Sequence, residues 1–309
     1  MAPKCNLIID SCCDLPFEMV DQEGIDLIKF PYIMDGIEYT DDLYQSVSAR
    51  DFFQKMREGA QPSTAQMPVS ELHGAFLRAA ESGVPSVYIC FAAVLSGAYD
   101  TAQLVLSQVK SDYPDAEIHI VNSQLASAAE GLLVYEAIRQ REKGLTASEL
   151  AEWASEALYY VNCEFMVDDL DALRRGGRIP ASVAYAGSKL DVKPLLSVDL
   201  EGRLTLIGVA RGRKKGLKHM TELYEKRGAS VGPGQCVVLA HADCPKDVER
   251  LKEELLKIDK DIPFLETSIG PVIGSHVGPG MIAIIFWGPD RRENLSVADM
   301  IARKVKREH

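Results

Sequence analysis

The chain reads as an α/β protein of two domains, and three observations predict this. In the first half, short β-rich runs alternate with segments whose apolar residues recur at helical spacing. That alternation is the signature of βαβ units and a largely parallel sheet with flanking helices. In the second half, two apolar runs flank the turn Glu201-Gly202, so a neighbouring strand pair is antiparallel and the sheet mixed. The 309 residues, 47% hydrophobic and 26% charged, suffice to bury cores for two domains.

Taken in order, Asn6–Asp10 (NLIID) is the first strand. Residues 29–34 and 37–40 flank Asp35-Gly36 and form a hairpin. Strands at 86–91 and 117–121 are separated by helices at 69–82, 97–112 and 125–143. A helix over 147–160 closes the first domain, residues 1–160. The second domain, residues 161–309, begins with the antiparallel strands 192–198 and 204–209. There follow a helix at 214–227, a strand at 236–240, a helix at 246–258 and strands at 264–267 and 281–287, with a helical tail near 297–307. Before the last strand stands IGPVIGSHVGPG, residues 269–280. It is too rich in Gly and Pro for a helix and too long for a hairpin, so it reads as a rigid turn. His276 in its middle is either a packed core histidine or a group facing something bound.

Charge and motif content remove several function classes. A formal net charge of −11 argues against general nucleic-acid or anionic-membrane binding. The apolar run before Asp10 is too short for a signal peptide, and no stretch approaches the roughly 20 apolar residues of a membrane helix. The seven cysteines form no CxxC pair and the six histidines no HExxH pair, so no metal site is expected and the thiols read as reduced, in a cytoplasmic protein. Asp10 and Asp14 lack DxD spacing, Ser96 lacks the GxSxG elbow, and no GxGxxG or GxxxxGK[ST] occurs. No catalytic residue and no cofactor is therefore assigned.

Anion chemistry has better support. In open α/β sheets, ligands bind beyond the carboxyl ends of the strands. Ser11, Ser96-Gly97 and Asn122-Ser123 follow the three first-domain strands and would share one rim. Gly97 opens a helix, whose free N–H groups favour an anion. Each of these serines is also a preferred N-cap. Thr64, in QPSTAQMP (61–68), either caps the next helix or points into the same rim. In ALRRGGRIP (172–180), Arg174 and Arg175 complement a helix C-terminus, while Arg178 lies past the Gly-Gly break. ARGRKKGLK (210–218) puts five cations where a strand enters a helix, a placement unfavourable by a few tenths of a kcal/mol per residue. It points to a phosphate, an acidic partner or a solvated basic face.

Several of these segments together resemble one family. DSCCDLP (10–16), PSTAQMP (62–68), VLSGAYDTA (94–102), NSQLASAAEG (122–131), LRRGGRI (173–179), VKPLLSVDLEG (192–202), RGRKKGLK (211–218) and GPVIGSHVGPG (270–280) occur in the order and spacing of DegV proteins. These are the fatty-acid-binding partners of bacterial fatty acid kinase. The resemblance implies a two-domain carrier holding one long-chain fatty acid between its domains, without catalytic turnover of its own. It implies that Thr64, Ser96 and His276 hold the carboxylate; Gly97 and Ser123 join them as candidate ligand contacts from the strand-end reading above. It implies that Arg178 and Arg211 serve the step in which the ATP-dependent kinase makes the acyl-phosphate used in phospholipid synthesis. The chain departs from the family where TSQP becomes Thr64-Ala65-Gln66-Met67, and where Ala92, Ala93 and Ala98 replace polar residues around LSG. The alternatives are an enzyme acting on a phosphorylated small molecule through Arg178 and Arg211, and a regulatory module using residues 211–218.

Overall fold

The computed structural model describes residues 3–180, 191–228 and 235–294, so the expected tail helix at 297–307 lies outside the described residues. The first part runs β1 (Asn6–Asp10), α1 (Phe17–Val20), β2 (Ile25–Ile28), β3 (Pro31–Met34), β4 (Ile37–Thr40), α2 (Ala49–Arg57) and β5 (Ser63–Thr64). It continues with α3 (Val69–Ser82), β6 (Ser86–Cys90), α4 (Ala98–Asp112), β7 (Ile118–Asn122), α5 (Ala128–Glu142) and α6 (Ala147–Ala157). β2, β1, β6 and β7 form a parallel sheet in that order, and β4, β3 and β5 a small antiparallel one. β6 is buried at every residue because helices pack on both of its faces, as parallel sheets require. Thr146 and Glu149 close a capping box at the start of α6.

The second part contains β8 (Val161–Met166), α7 (Asp171–Arg175), β9 (Val192–Val198), β10 (Leu204–Arg211), α8 (Arg213–Arg227), β11 (Val237–His241), α9 (Pro245–Ile258), β12 (Phe264–Ser268), α10 (Pro271–Val277) and β13 (Ile282–Trp287). Its sheet has the order β10-β9-β8-β13-β11-β12, antiparallel except for β11 with β12. The strand alternation divides its two faces. Phe165, Ala283 and Ile285 turn toward the first part and join one core continuous with the parallel sheet. Met166, Ile282, Ile284 and Phe286 turn the other way, into a smaller core beneath α8 and α9.

One expectation is overturned. Residues 271–277 are helical, not a turn. The Gly and Pro residues that suggested a turn are the ones a short, tightly packed helix uses at its ends. Gly270 is the N-cap, Pro271 occupies the first turn, and Gly278 leaves the helix at φ 75°. Gly274 sits inside α10 because a Cβ there would lie 2.9 Å from the Phe52 and Phe53 rings of α2.

Candidate functional site

Between the two sheets lies a cavity with about 200 Å³ open to the centre of a water molecule. Its inner wall is apolar: Phe30 and Phe91 from the first part, Phe165, Ala283 and Ile285 from the second, and the first turn of α5 at Ala128–Ala129. Cys12 and Cys163 also line it. Burial holds both as thiols, with Cys163 pushed up to about 12, so neither has a nucleophile's character.

Polar groups gather at one end. Thr64, on β5 opposite Tyr32, lies with its Oγ1 2.9 Å from Nε2 of His276 on α10. Burial, reinforced by the nearby Arg178 guanidinium, pushes His276 down to about 4, so the imidazole is neutral at physiological pH. Its Nδ1 is buried without a partner. It faces Gly176, where a Cβ would come within 2.0 Å of it. A buried N–H without an acceptor is less tolerable than a buried lone pair without a donor. The proton therefore belongs on Nε2, which donates to Thr64 Oγ1. That leaves the Thr64 hydroxyl hydrogen free to donate into the cavity.

Ser96 and Gly97 stand at the start of α4, on the same cavity. Ser96 Oγ accepts from the Ala98 N–H at 3.2 Å. A hydroxyl that caps a helix by accepting keeps its own proton to donate, so the capping role and a ligand contact coexist here. Arg178 lines the cavity too. Its Nε donates to the Leu95 carbonyl at 3.2 Å and its Nη1 to the Gly176 carbonyl. It thus joins the loop before α4 to the Gly-Gly turn after α7, and it borders an outer groove beside Val94 and Leu204.

The remaining rim residues are elsewhere. Ser11 is fully buried and its hydroxyl accepts from the Phe30 N–H at 3.0 Å. Ser123 is also fully buried, bound within its own turn to the Leu125 N–H, and does not border the cavity. Arg211 is exposed at the far end of β10, opposite Val192, while Leu204 at the near end lines the cavity. Of the five cations in 211–218, Arg213 is engaged by Asp247 at 2.5 Å and Asp168 at 2.9 Å. Those carboxylates offset the unfavourable placement of positive charge at the start of α8.

Two lining residues escaped the sequence reading. Gln66 lies over Gly97, where a Cβ would meet its Nε2 at 3.0 Å, and donates to Thr101 Oγ1 at 3.1 Å. Gly97 has φ −73°, which any residue adopts, and a Cβ there would press only on the end of the Gln66 side chain. Ser127, at φ 56°, lines the cavity while its hydroxyl donates to Asp14. The run of small residues in SQLASAAEG was the available signal for a helix start brought close to other backbone.

Among the described residues no helix is long and apolar enough to cross a membrane, and no cluster of His, Cys, Asp or Glu has metal-binding geometry. The family model described as uncharacterised proteins of the DegV family matches residues 4–288. A DegV domain-containing protein of Clostridium perfringens is 36% identical over 283 residues, covering 91% of this chain and 97% of its own. Among solved structures, a fatty-acid-binding DegV family protein from Thermus thermophilus matches at 26% identity with a TM-score of 0.79, over 92% of this chain and 99% of its own. The fatty acid binding protein DegV of Bacillus subtilis matches at 25% identity with a TM-score of 0.80, over 93% and 100%. On a family match across nearly its whole length, this chain belongs to the DegV family.

Proposed function

We propose that this protein binds a long-chain fatty acid in the cavity and presents its carboxylate to a partner fatty acid kinase. The observation that carries the reading is the cavity's polarity. Its walls are apolar, and its polar groups converge at the end where Thr64, His276, Ser96 and Arg178 meet. An ionised carboxylate is tolerated in such a place only with several donors around it. The Thr64 and Ser96 hydroxyls and the N–H groups at the start of α4 supply them. His276, neutral, orients Thr64. Arg178 brings positive charge without an ion-pair partner among the described residues. The tail needs only apolar lining, and each methylene buried contributes about 0.8 kcal/mol. Fatty-acid binding by the Thermus and Bacillus relatives supports the same assignment.

In this reading the chain holds the carboxylate and keeps water from the tail, while the kinase carries out the ATP chemistry. Ser123 acts through the turn it closes rather than by touching the ligand. Arg178 at the mouth and Arg211 on the outer face meet the phosphoryl donor or the kinase. Mass spectrometry of lipid extracted from the purified protein should find a long-chain fatty acid. A ligand-free preparation that takes up neither palmitate nor oleate would refute the reading. The double substitution Thr64→Ala, Ser96→Ala should weaken palmitate binding by about 10²- to 10⁴-fold, at roughly 1.5–3 kcal/mol for each donor to a charged group. Unchanged affinity would place the carboxylate elsewhere.

A further inference from the structure

The segment that carries His276 is fastened at its start by carboxyl groups from the first part of the chain. Asp14 makes three of the bonds. One side-chain oxygen accepts from the Gly270 N–H at 3.0 Å, the other from the Ser127 hydroxyl, and its main-chain carbonyl from the Thr267 hydroxyl. Asp41 receives the Val272 N–H at 3.5 Å, and the Tyr44 hydroxyl donates to the Ile269 carbonyl at 2.5 Å. Pro271 has no N–H, so the donors on either side of it, Gly270 and Val272, both end on carboxyls. Space is as tight as the bonding. A Cβ at 270 would sit 2.5 Å from Asp14 Oδ1 and 3.0 Å from Asp41 Oδ2. Gly270 has φ −67°, so the two carboxyls, not backbone conformation, require glycine there.

We infer that Asp14 is a positioning residue for the cavity mouth. By tying the cavity-wall residue Ser127 to the N-cap of α10, it sets the angle at which that seven-residue helix delivers His276 to Thr64. The consequence for ligand binding rests on the carboxylate reading above, while the consequence for His276 does not.

The form in which Asp14 acts follows from its surroundings. It is 1% exposed, and the groups that act on it are the carboxyls of Asp41 and Asp10, the Ser127 hydroxyl and the Gly270 N–H, with Glu130 of α5 also near. No salt bridge reaches it among the described residues. Burial first, and then Asp41, hold its carboxyl well above the usual range. A neutral acid keeps an acceptor for Gly270 and shares one proton with Ser127. An asparagine does the same, accepting through Oδ1 and donating to Ser127 through Nδ2.

The test is to titrate the His276 imidazole by NMR in ligand-free Asp14→Ala and Asp14→Asn. In Asp14→Ala the midpoint should rise from about 4 toward the ordinary histidine value near 6.5 as the ring leaves its buried contact. Palmitate affinity should fall more than 10-fold. Asp14→Asn should match the parent in both. A midpoint still near 4 in folded Asp14→Ala overturns the inference, as does Asp14→Asn behaving like Asp14→Ala. Should Asp14→Ala not fold, Gly270→Ala strikes the same contact without removing the carboxyl. It must raise the His276 midpoint, and an unmoved midpoint is equally fatal. A normal His276 response with no fatty-acid uptake in the parent sinks the carboxylate reading alone.

Discussion

The two ends of α10 meet two kinds of buried polar chemistry. At its C-terminal end, His276 joins Thr64, Ser96 and Arg178, a set made chiefly of donors facing a cavity. At its start lie Asp14 and Asp41, with Asp10 behind them, a set of acceptors none of which lines that cavity. The acceptors are satisfied from within the fold. Asp10 alone receives the Cys12 and Phe91 N–H groups and the Tyr88 hydroxyl, at 3.0–3.2 Å. The donor set is completed only in part by its own members. A polar cluster that closes on itself is architecture, whereas one left facing an apolar cavity is where a ligand's charge belongs.

Breaking the closed set should have the largest effect. Asp10→Ala leaves three buried donors without an acceptor, at about 1–3 kcal/mol for each group orphaned and only partly additive. Chemical denaturation should show a loss of about 3–5 kcal/mol. A loss under about 1 kcal/mol would mean that the cluster does not hold the fold together.

Glu130 sharpens the contrast, because it belongs to neither set. It is fully buried on α5, near Asp10 and Asp14, and both its oxygens lack partners. Burial holds its carboxyl well above the usual range. The folded chain therefore binds more protons than the unfolded one from about pH 4 upward, and stability falls as pH rises through that window. Glu130→Leu removes both the unpartnered group and the titration. The variant should be more stable by about 1–3 kcal/mol at pH 7, with the gain shrinking toward pH 4. A destabilised variant, or a gain independent of pH, would show that Glu130 has a partner or remains charged.

The comparison also explains what the sequence reveals. The strands and helices named from apolar spacing recur within a few residues, α3 over the full 69–82 expected, whereas the short β2 and β5, the inner strand β8 and the helices α1 and α2 went unread. Thr64, Ser96 and His276 stand out as hydroxyls and an imidazole in Gly- and Pro-rich segments. α10 was misread because local propensity counts Gly and Pro against a helix. Here one glycine makes room for Asp14, another for two phenylalanine rings, and the proline lies where a helix start tolerates it. Such reasons are tertiary and leave no local pattern. The acidic cluster was equally hidden: Asp10 and Asp14 share the DSCCD segment, but Asp41 and Glu130 lie far from it along the chain and nothing local joins them to it. Ser123 shows the converse limit: its position after a strand pointed to the rim, but its side chain closes a local turn.

The smallest expected effect on lipid binding separates the mouth from the outer face. Arg211 and Leu204 lie at opposite ends of one strand, seven residues apart in sequence, or roughly 20 Å at about 3.3 Å per residue. Arg213, only two positions on, is bound by Asp168 and Asp247 and so belongs to the architecture. Arg211→Ala should therefore leave palmitate affinity within about twofold, because a screened charge at that distance contributes a few tenths of a kcal/mol at most. Its thermal midpoint should also be unchanged. If the basic stretch meets a kinase or a phosphoryl donor, the same variant should slow phosphorylation of the bound fatty acid severalfold in a reconstituted kinase assay. Parallel losses in affinity and phosphorylation would show that Arg211 communicates with the cavity after all. Phosphorylation at the parent rate would remove Arg211 from the partner surface and leave Arg178, which borders both the cavity and the outer groove, as the cation able to serve both.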